Sequence, residues 1–332
     1  MRGLQSLGWL VRETEPPFTP GQSESRGLWE WLAAGEKEPY LHFLPDAHYS
    51  LRTHPEGFAA LLQRLQAGEI DLLLVMGTVA GQQVVQADHA VPTLVFASSD
   101  ALAAGIVRAA NDSGQDHIWA HLDPDRWRRQ LRVFHDLIGF DRLGLIYEGS
   151  ASGQIYAGIS DVMAVAKERG FAVVSAHVSE PVSTPEGDPA DYQRYYAEVE
   201  VAARQLADEV DAVYLTQGKW ELPHLPRLLA PLQAKGIPVF SQTGSDEVRY
   251  GAMISLARDG FDGIGRFGAE TIAQALNGVS PRTLPQVYYD VPKIAVNLAV
   301  ARRTGVRLPF SMLLVADEIY TTIDGFDPEG GM

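Results

Sequence analysis

The stretch Asp71-Leu-Leu-Leu-Val-Met-Gly-Thr78 constrains the fold more than any other part of the chain. Its apolar run, Leu72 to Met76, is too short to span a membrane and suits a strand buried on both faces. The run stops at Gly77. Thr78 then stands where an N-cap belongs, ahead of a helix over residues 79–87. A buried strand that ends in a small residue and a hydroxyl, then turns into a helix, leaves free backbone N–H groups at the carboxyl edge of a sheet. Open α/β sheets hold small ligands there, often anionic ones.

The same device recurs. A strand over residues 92–97 ends at Ser98-Ser99-Asp100, which is expected to cap a helix over 101–108. A strand over 143–147 ends at residues 148–154 (Glu-Gly-Ser-Ala-Ser-Gly-Gln), and a helix follows to Arg169, stopped by Gly170. A strand over 211–215 ends at Thr216-Gln217-Gly218-Lys219-Trp220, and one over 238–241 at Gln242-Thr243-Gly244. Further strands are expected at 7–11, 40–44, 172–178 and 252–256. Helices are expected at 23–34, 55–66, 127–138, 191–209, 225–235 and 262–276. Residues 13–23, rich in Pro and Gly, read as a loop. Strands alternate with helices throughout, which predicts parallel sheets covered on both faces; about ten strands are enough for two doubly wound lobes.

Composition narrows the function. At 332 residues the chain exceeds the roughly 250–300 at which single cores stop growing, which points to two domains. An apolar fraction of 46% against 21% charged residues supports a sizeable core. A net charge of −15 argues against nucleic acid or an anionic membrane surface as partner. The absence of cysteine removes disulfides, thiolate chemistry, Cys-bound zinc and iron–sulfur centres. No apolar run is long enough to cross a bilayer. Residues 1–10 lack the long apolar run and cleavage site of a secretory signal, which leaves a cytosolic protein or a mature segment without its leader.

Toward the C-terminal end, residues 275–285 read Ala-Leu-Asn-Gly-Val-Ser-Pro-Arg-Thr-Leu-Pro, residues 294–305 Ile-Ala-Val-Asn-Leu-Ala-Val-Ala-Arg-Arg-Thr-Gly, and residues 308–319 Leu-Pro-Phe-Ser-Met-Leu-Leu-Val-Ala-Asp-Glu-Ile. This resembles the tail of the tryptophan/tyrosine-type ABC-transporter substrate-binding proteins: a G-x-x-P-x-x-L-P turn, an I-x-x-N helix, G-x-x-(I/L)-P and a final A-D. Met76-Gly77-Thr78 and residues 92–96, 100–105 and 142–147 match as well, so the resemblance covers residues 55–320. It implies a type I periplasmic-binding fold of class α/β. Two doubly wound parallel-sheet lobes would be joined by three hinge crossovers, with the ligand cleft between their carboxyl edges. Lobe 1 would take residues 1–120 plus 256–285, and lobe 2 residues 121–255 plus 286–332. Two segments depart from the family: 116–120 (Asp-His-Ile-Trp-Ala), where many relatives read near N-V-T-G, and the loop at 13–23. The first 50 residues match poorly.

The strand-end turns supply the ligand-binding candidates: Gly77 and Thr78; Ser98, Ser99 and Asp100; Ser150, Ser152 and Gln154; Gln217 and Trp220; Gln242 and Thr243. Hydroxyls and helix N-termini suit a ligand carboxylate, and Asp100 or Glu148 could meet an ammonium. Trp220, Trp119 or Tyr156 could stack on a ring or a cation. Each of these turns, taken alone, could equally be a helix cap. Other motifs carry less. Gly263-x-Gly265-x-x-Gly268, with Asp290 beyond it, spells a dinucleotide fingerprint but follows no buried strand. His42, His48 and His54 recur at a period that no regular element places on one face, so no metal site is expected. Residues 149–153 look like a nucleophile elbow in the wrong register. Arg126, Arg128, Arg129 and Arg132 around Trp127 read as a solvated face or as crossing ion pairs.

The expectation is therefore a non-catalytic solute receptor without cofactor or metal. It would be periplasmic or extracellular, with or without a membrane tether, and monomeric. It would close by a hinge on a small ligand such as an amino acid or aromatic carboxylate and pass it to an ABC permease in the membrane, with no nucleic acid partner. The alternative is the ligand-sensing domain of a signalling receptor or regulator with the same fold. A third class, a dehydrogenase or hydrolase, would show turnover and a retained cofactor.

Overall fold

The computed structural model describes residues 1–11, 17, 25–35, 38, 40–51, 54–182, 188–258, 262–289 and 291–325. All of the expected 13–23 loop except Pro17 lies outside the described residues, as does Asp290. In chain order the elements are α1 (Arg2–Ser6), α2 (Arg26–Ala33), α3 (Gly57–Gln66), β1 (Leu73–Met76), α4 (Thr78–Val85), β2 (Thr93–Phe96), β3 (Ile118–Ala120), α5 (Arg126–Ile138), β4 (Arg142–Glu148), α6 (Ala151–Tyr156), α7 (Ile159–Arg169), β5 (Ala172–Val178), α8 (Pro189–Ala207), β6 (Ala212–Leu215), α9 (Leu225–Ala234), β7 (Val239–Ser241), α10 (Ser245–Arg249), β8 (Ile254–Arg258), α11 (Asp262–Leu276), β9 (Pro292–Asn297), α12 (Leu298–Thr304), α13 (Phe310–Val315) and β10 (Glu318–Tyr320). The chain forms two compact units, Met1–Asp123 with Gly260–Asp290, and Pro124–Asp259 with Val291–Met332; it passes from one to the other three times.

Among the described residues, the first unit holds a parallel sheet in the order β1-β2-β3. Leu94, Val95 and all of β3 are buried. β1 departs from expectation. It is an edge strand with Val75 buried but Leu74 and Met76 exposed, so it is covered on one face rather than two. α11 matches its expected span and packs against α1. A Cβ on Gly3 would lie 2.7 Å from the Gly265 carbonyl oxygen, and one on Gly268 would lie 2.8 Å from the Phe96 ring. The three glycines of the fingerprint therefore sit inside a helix, Gly263 and Gly268 packed closely on Tyr288 and Phe96, which removes the dinucleotide reading.

Two expected strands are not formed. In place of 7–11 the chain makes α1 and then folds back, with Trp9 N–H and Leu10 N–H donating to the Leu4 carbonyl, which buries Leu4 and Leu10. Residues 40–44 stay irregular, and the Trp29 indole donates to the Leu44 carbonyl. Nor does 101–108 become a helix. One turn forms (Ala104 N–H to the Asp100 carbonyl) before Gly105, at φ 68°, turns the chain away.

The second unit holds a sheet in the order β10-β9-β8-β7-β6-β4-β5, parallel except for the antiparallel pair β8 and β9. Helices cover both faces. α8 and α9 pack Tyr195, Val199, Leu206, Leu228 and Leu232 against Ile146, Val213, Leu215 and Val239. On the other face α5, α7 and α12 pack Leu131, Phe134, Val162, Val165 and Val300 against Leu143, Leu145, Tyr214 and Phe240. Alternate residues of β4 thus feed two cores, as the strand period requires. The expected helix after 154 is broken at Gly158. That residue is left-handed at φ 66° and so close to Trp127 that a Cβ would lie 2.8 Å from the indole. The basic face of α5 is tied down: Arg128 pairs with Asp161 at 2.7 Å, Arg132 with Glu168 at 2.8 Å, and Arg126 lies over the Trp127 ring. The I-x-x-N motif is not helical; residues 294–297 end β9, and Asn297 caps α12.

Two predictions concern stability. The buried Asn297 side chain accepts from Ala299 N–H and Val300 N–H and donates to the carbonyls of Val248 and Thr322. Asn297→Ala should lower unfolding free energy by about 2–4 kcal/mol in denaturant titrations, because buried backbone groups lose partners. In the first unit, burial and then the His89 ring, edge-on at 4.8 Å, hold the His117 imidazole below its ordinary value, against the opposing pull of Asp116. The unfolded chain takes up that proton near about pH 6.5 while the folded ring resists it. Stability from this site is therefore complete above about pH 6.5 and falls as pH drops through that value. His117→Gln should flatten this loss when denaturant midpoints are compared between about pH 7.5 and about pH 5.

Candidate ligand-binding edges

In the first unit the carboxyl ends of β1, β2 and β3 lie side by side. Gly77, at φ 94°, donates its N–H to the Phe96 carbonyl and is itself the N-cap of α4. Thr78, expected as the cap, is the first helical residue. Its buried hydroxyl accepts from Ser99 N–H at 3.1 Å and lies 3.3 Å from the Ser98 hydroxyl, joining the two turns. Ala97 opens the second turn in the left-handed region at φ 54°, a strained conformation for a residue with a Cβ. Asp100 uses Oδ1 on Leu102 N–H and Ala103 N–H, both at 2.9 Å, so it holds its own loop. Gly77, Thr78, Ser98, Ser99 and Asp100 thus form one group.

Trp119 is not available for stacking. It is fully buried in β3, and its indole donates to the Pro285 carbonyl at 2.7 Å. Around it stands an aromatic group that sequence reasoning missed. Phe96 lies 5.2 Å from Trp119, Phe267 stacks on Tyr288 at 5.2 Å, and His121 touches both Phe267 and Tyr288. The omission follows from overlooking β3, whose end places His121.

In the second unit the ends of β4, β6 and β7 share one edge, since the strands are parallel neighbours. The Ser150 hydroxyl accepts from Gly153 N–H at 3.0 Å and caps α6, so it is a cap and not a nucleophile. Ser152 is half-buried and Gln154 exposed on that helix. Thr216 donates to the Ile146 carbonyl at 2.7 Å, lashing β6 to β4. Gln217 N–H donates to the side-chain oxygen of the buried Gln242 at 2.7 Å. Lys219 N–H donates to the Tyr195 hydroxyl at 3.1 Å, and its ammonium reaches the Pro181 carbonyl at 3.1 Å and Glu180 at 3.4 Å. Trp220 lies nearly parallel to Tyr195, and its indole donates to Glu247 at 2.9 Å. Gln217, Trp220 and Gln242 are therefore joined, while Thr243 stands exposed beside them. Burial pushes the Glu247 carboxyl above its ordinary value despite donors from Ser241 and Trp220. Burial, then Glu180 and Glu148, push the half-buried Tyr156 phenol up.

Glu247 was not anticipated, because the short helix α10 that carries it was not read. The signal was present in Gly244-Ser-Asp-Glu247, a small residue followed by acids in a first turn. Among the described residues no group of three or more His, Cys, Asp or Glu is placed to hold a metal ion. Among the same residues no helix is long and apolar enough to cross a membrane.

The sequence profile of the family described as "ABC transporter substrate binding protein" matches residues 46–320. The chain belongs to that family. Comparison with curated proteins gives no match. Solved structures give the fold. An ABC domain from Streptococcus pneumonia, in complex with L-Trp, has a TM-score of 0.60 at 20% identity over 80% of this chain and 83% of that one. A ligand-free, open substrate-binding protein with adhesive properties from Clostridium difficile has a TM-score of 0.58 at 18% identity over 85% and 86%. A conserved domain protein from Vibrio cholerae has a TM-score of 0.57 at 20% identity over 79% and 83%. The architecture is the type I periplasmic-binding fold. Members of the ABC substrate-binding family are extracytoplasmic solute binders, not enzymes, and deliver small ligands to an ABC permease.

One glycine tests how the second edge is built. A Cβ on Gly218 would overlap the Trp220 ring, so Gly218→Ala should displace the indole. The expected result is a change in tryptophan emission together with about 1–3 kcal/mol of lost stability, measured on the same sample by fluorescence and denaturant titration.

Proposed function

We propose that this substrate-binding protein takes an amino acid or aromatic carboxylate, using one set of strand-end turns on each unit and closing by bending at the three crossovers. The observation that carries the reading is the turn at Gln217–Trp220 on one sheet edge, whose backbone is held by the buried Gln242 amide and whose indole is held by Glu247. The turn at Ser98 and Ser99, held by Thr78, adds hydroxyls suited to a carboxylate. The L-Trp bound by the pneumococcal relative is of the same chemical class. A ligand touching both units favours the closed state by the difference in its contacts.

A thermal-shift screen against amino acids and aromatic acids tests this. A ligand at a hundredfold excess over its Kd stabilises by about 2.7 kcal/mol, an easily measured shift. Thr78→Ala, which frees the Ser98-Ser99 turn, and Ser152→Ala should each weaken binding roughly 5- to 10-fold by calorimetry, the value of one hydrogen bond, with the fold retained. Unchanged affinity in both variants would count against these edges.

A further inference from the structure

Trp220 is held from several sides. Its N–H donates to Glu247 Oε1 at 2.9 Å, its ring lies parallel to Tyr195 within 11°, and Gly218 leaves the space that the ring fills. Glu247 is itself fixed. It is 5% exposed, and its Oε2 accepts from the Ser241 hydroxyl at 2.7 Å. That hydroxyl in turn accepts from Thr243 N–H and Gly244 N–H, and of the acceptors within reach of its single proton the Glu247 carboxylate at 2.7 Å is nearer than the Gly244 carbonyl at 3.2 Å. Both carboxylate oxygens therefore act as acceptors, and indole N–H is a donor only. The rest of the turn is tied as well: the Thr216 hydroxyl donates to the Ile146 carbonyl, and the N–H groups of Gln217, Lys219 and Glu221 donate to Gln242, Tyr195 and Tyr196.

We propose that Glu247 is a positioning residue: its buried carboxylate sets the pose of the Trp220 indole, and the indole so fixed is the wall against which the ligand packs. The second half rests on the function proposed above; the first half stands without it. Glu247 meets the edge of the ring through its in-plane N–H, is joined to Ser241 in the strand, and has no need to touch ligand. The arrangement suits a receptor, because a wall ordered before binding adds no ordering cost when the ligand arrives.

The test uses Glu247→Ala, Glu247→Met, which keeps length and apolar volume but accepts no hydrogen bond, and Glu247→Gln, which retains one acceptor. Each is compared with its Trp220→Phe partner, so that the difference isolates Trp220 emission and acrylamide quenching from the other tryptophans. In the Ala and Met variants the Trp220 signal should shift red and quench severalfold more, while the Gln variant stays near wild type. With L-tryptophan as probe, calorimetric affinity should fall about tenfold in Ala and Met and be largely restored in Gln, with no matching order in thermal midpoints. Trp220 emission and quenching unaltered in both Ala and Met would overturn the proposal, as would a Gln variant no better than Met. If L-tryptophan does not bind wild type, the ligand reading fails, and the fluorescence comparison still decides the role of Glu247.

Discussion

A chain that leaves a parallel sheet at its carboxyl edge carries N–H groups that no ladder holds, and they must find partners or stay wet. Here the partners are side chains from neighbouring strands and helices. The hydroxyl of Thr78 takes Ser99 N–H in the first unit. In the second, Gln242, Tyr195, Tyr196 and Ser241 take the N–H groups of Gln217, Lys219, Glu221 and Thr243. Except for Ser241, which holds the turn that follows it, the turns are pinned by residues distant in sequence, and their order depends on neighbouring strands being in register. This explains why fully buried polar residues such as Thr216, Ser241 and Gln242 cluster where the strands end.

Electrostatics works against a simple picture of anion capture. The net charge of −15 repels a carboxylate at long range, although salt screens this beyond about 10 Å. For the carboxylate ligand proposed above, selection would then rest on short-range contacts with hydroxyls and an aromatic face. Basic residues are answered locally by acids, as in the pairs of Arg132 with Glu168 and Arg282 with Asp112, but 27 Lys and Arg cannot balance 42 Asp and Glu. Such exposed pairs add little stability, and the two apolar cores of the second unit carry more of it.

The architecture was legible where periodicity was long. α11 spans its expected residues, β5 likewise, and α9 differs by one residue at its end. Short elements were not legible. β3 and β10 have three residues each, too few to show a period, and β9 looked like the start of a helix because Asn297 caps one. The 7–11 and 40–44 runs have strand composition but form no ladder; Leu10 is buried and Trp9, Leu41 and Phe43 pack beside it, while Leu7, Val11 and Tyr40 stay exposed. Strand-end turns are local signals, so their positions could be read. What each turn is tied to could not: Trp220 meets Glu247 only because β6 and β7 are neighbours and α10 follows.

The last stretch of chain returns to the second unit, where β9 runs antiparallel beside β8 and Asn297 links Val248 to Thr322. The first unit likewise waits for α11. Neither half is a continuous piece of the polypeptide. During synthesis, therefore, no complete domain can emerge from the ribosome before nearly all of the chain has been made. Nascent sheet edges stay open for most of translation, and fragments cut near the middle would lack the pieces needed to close either half.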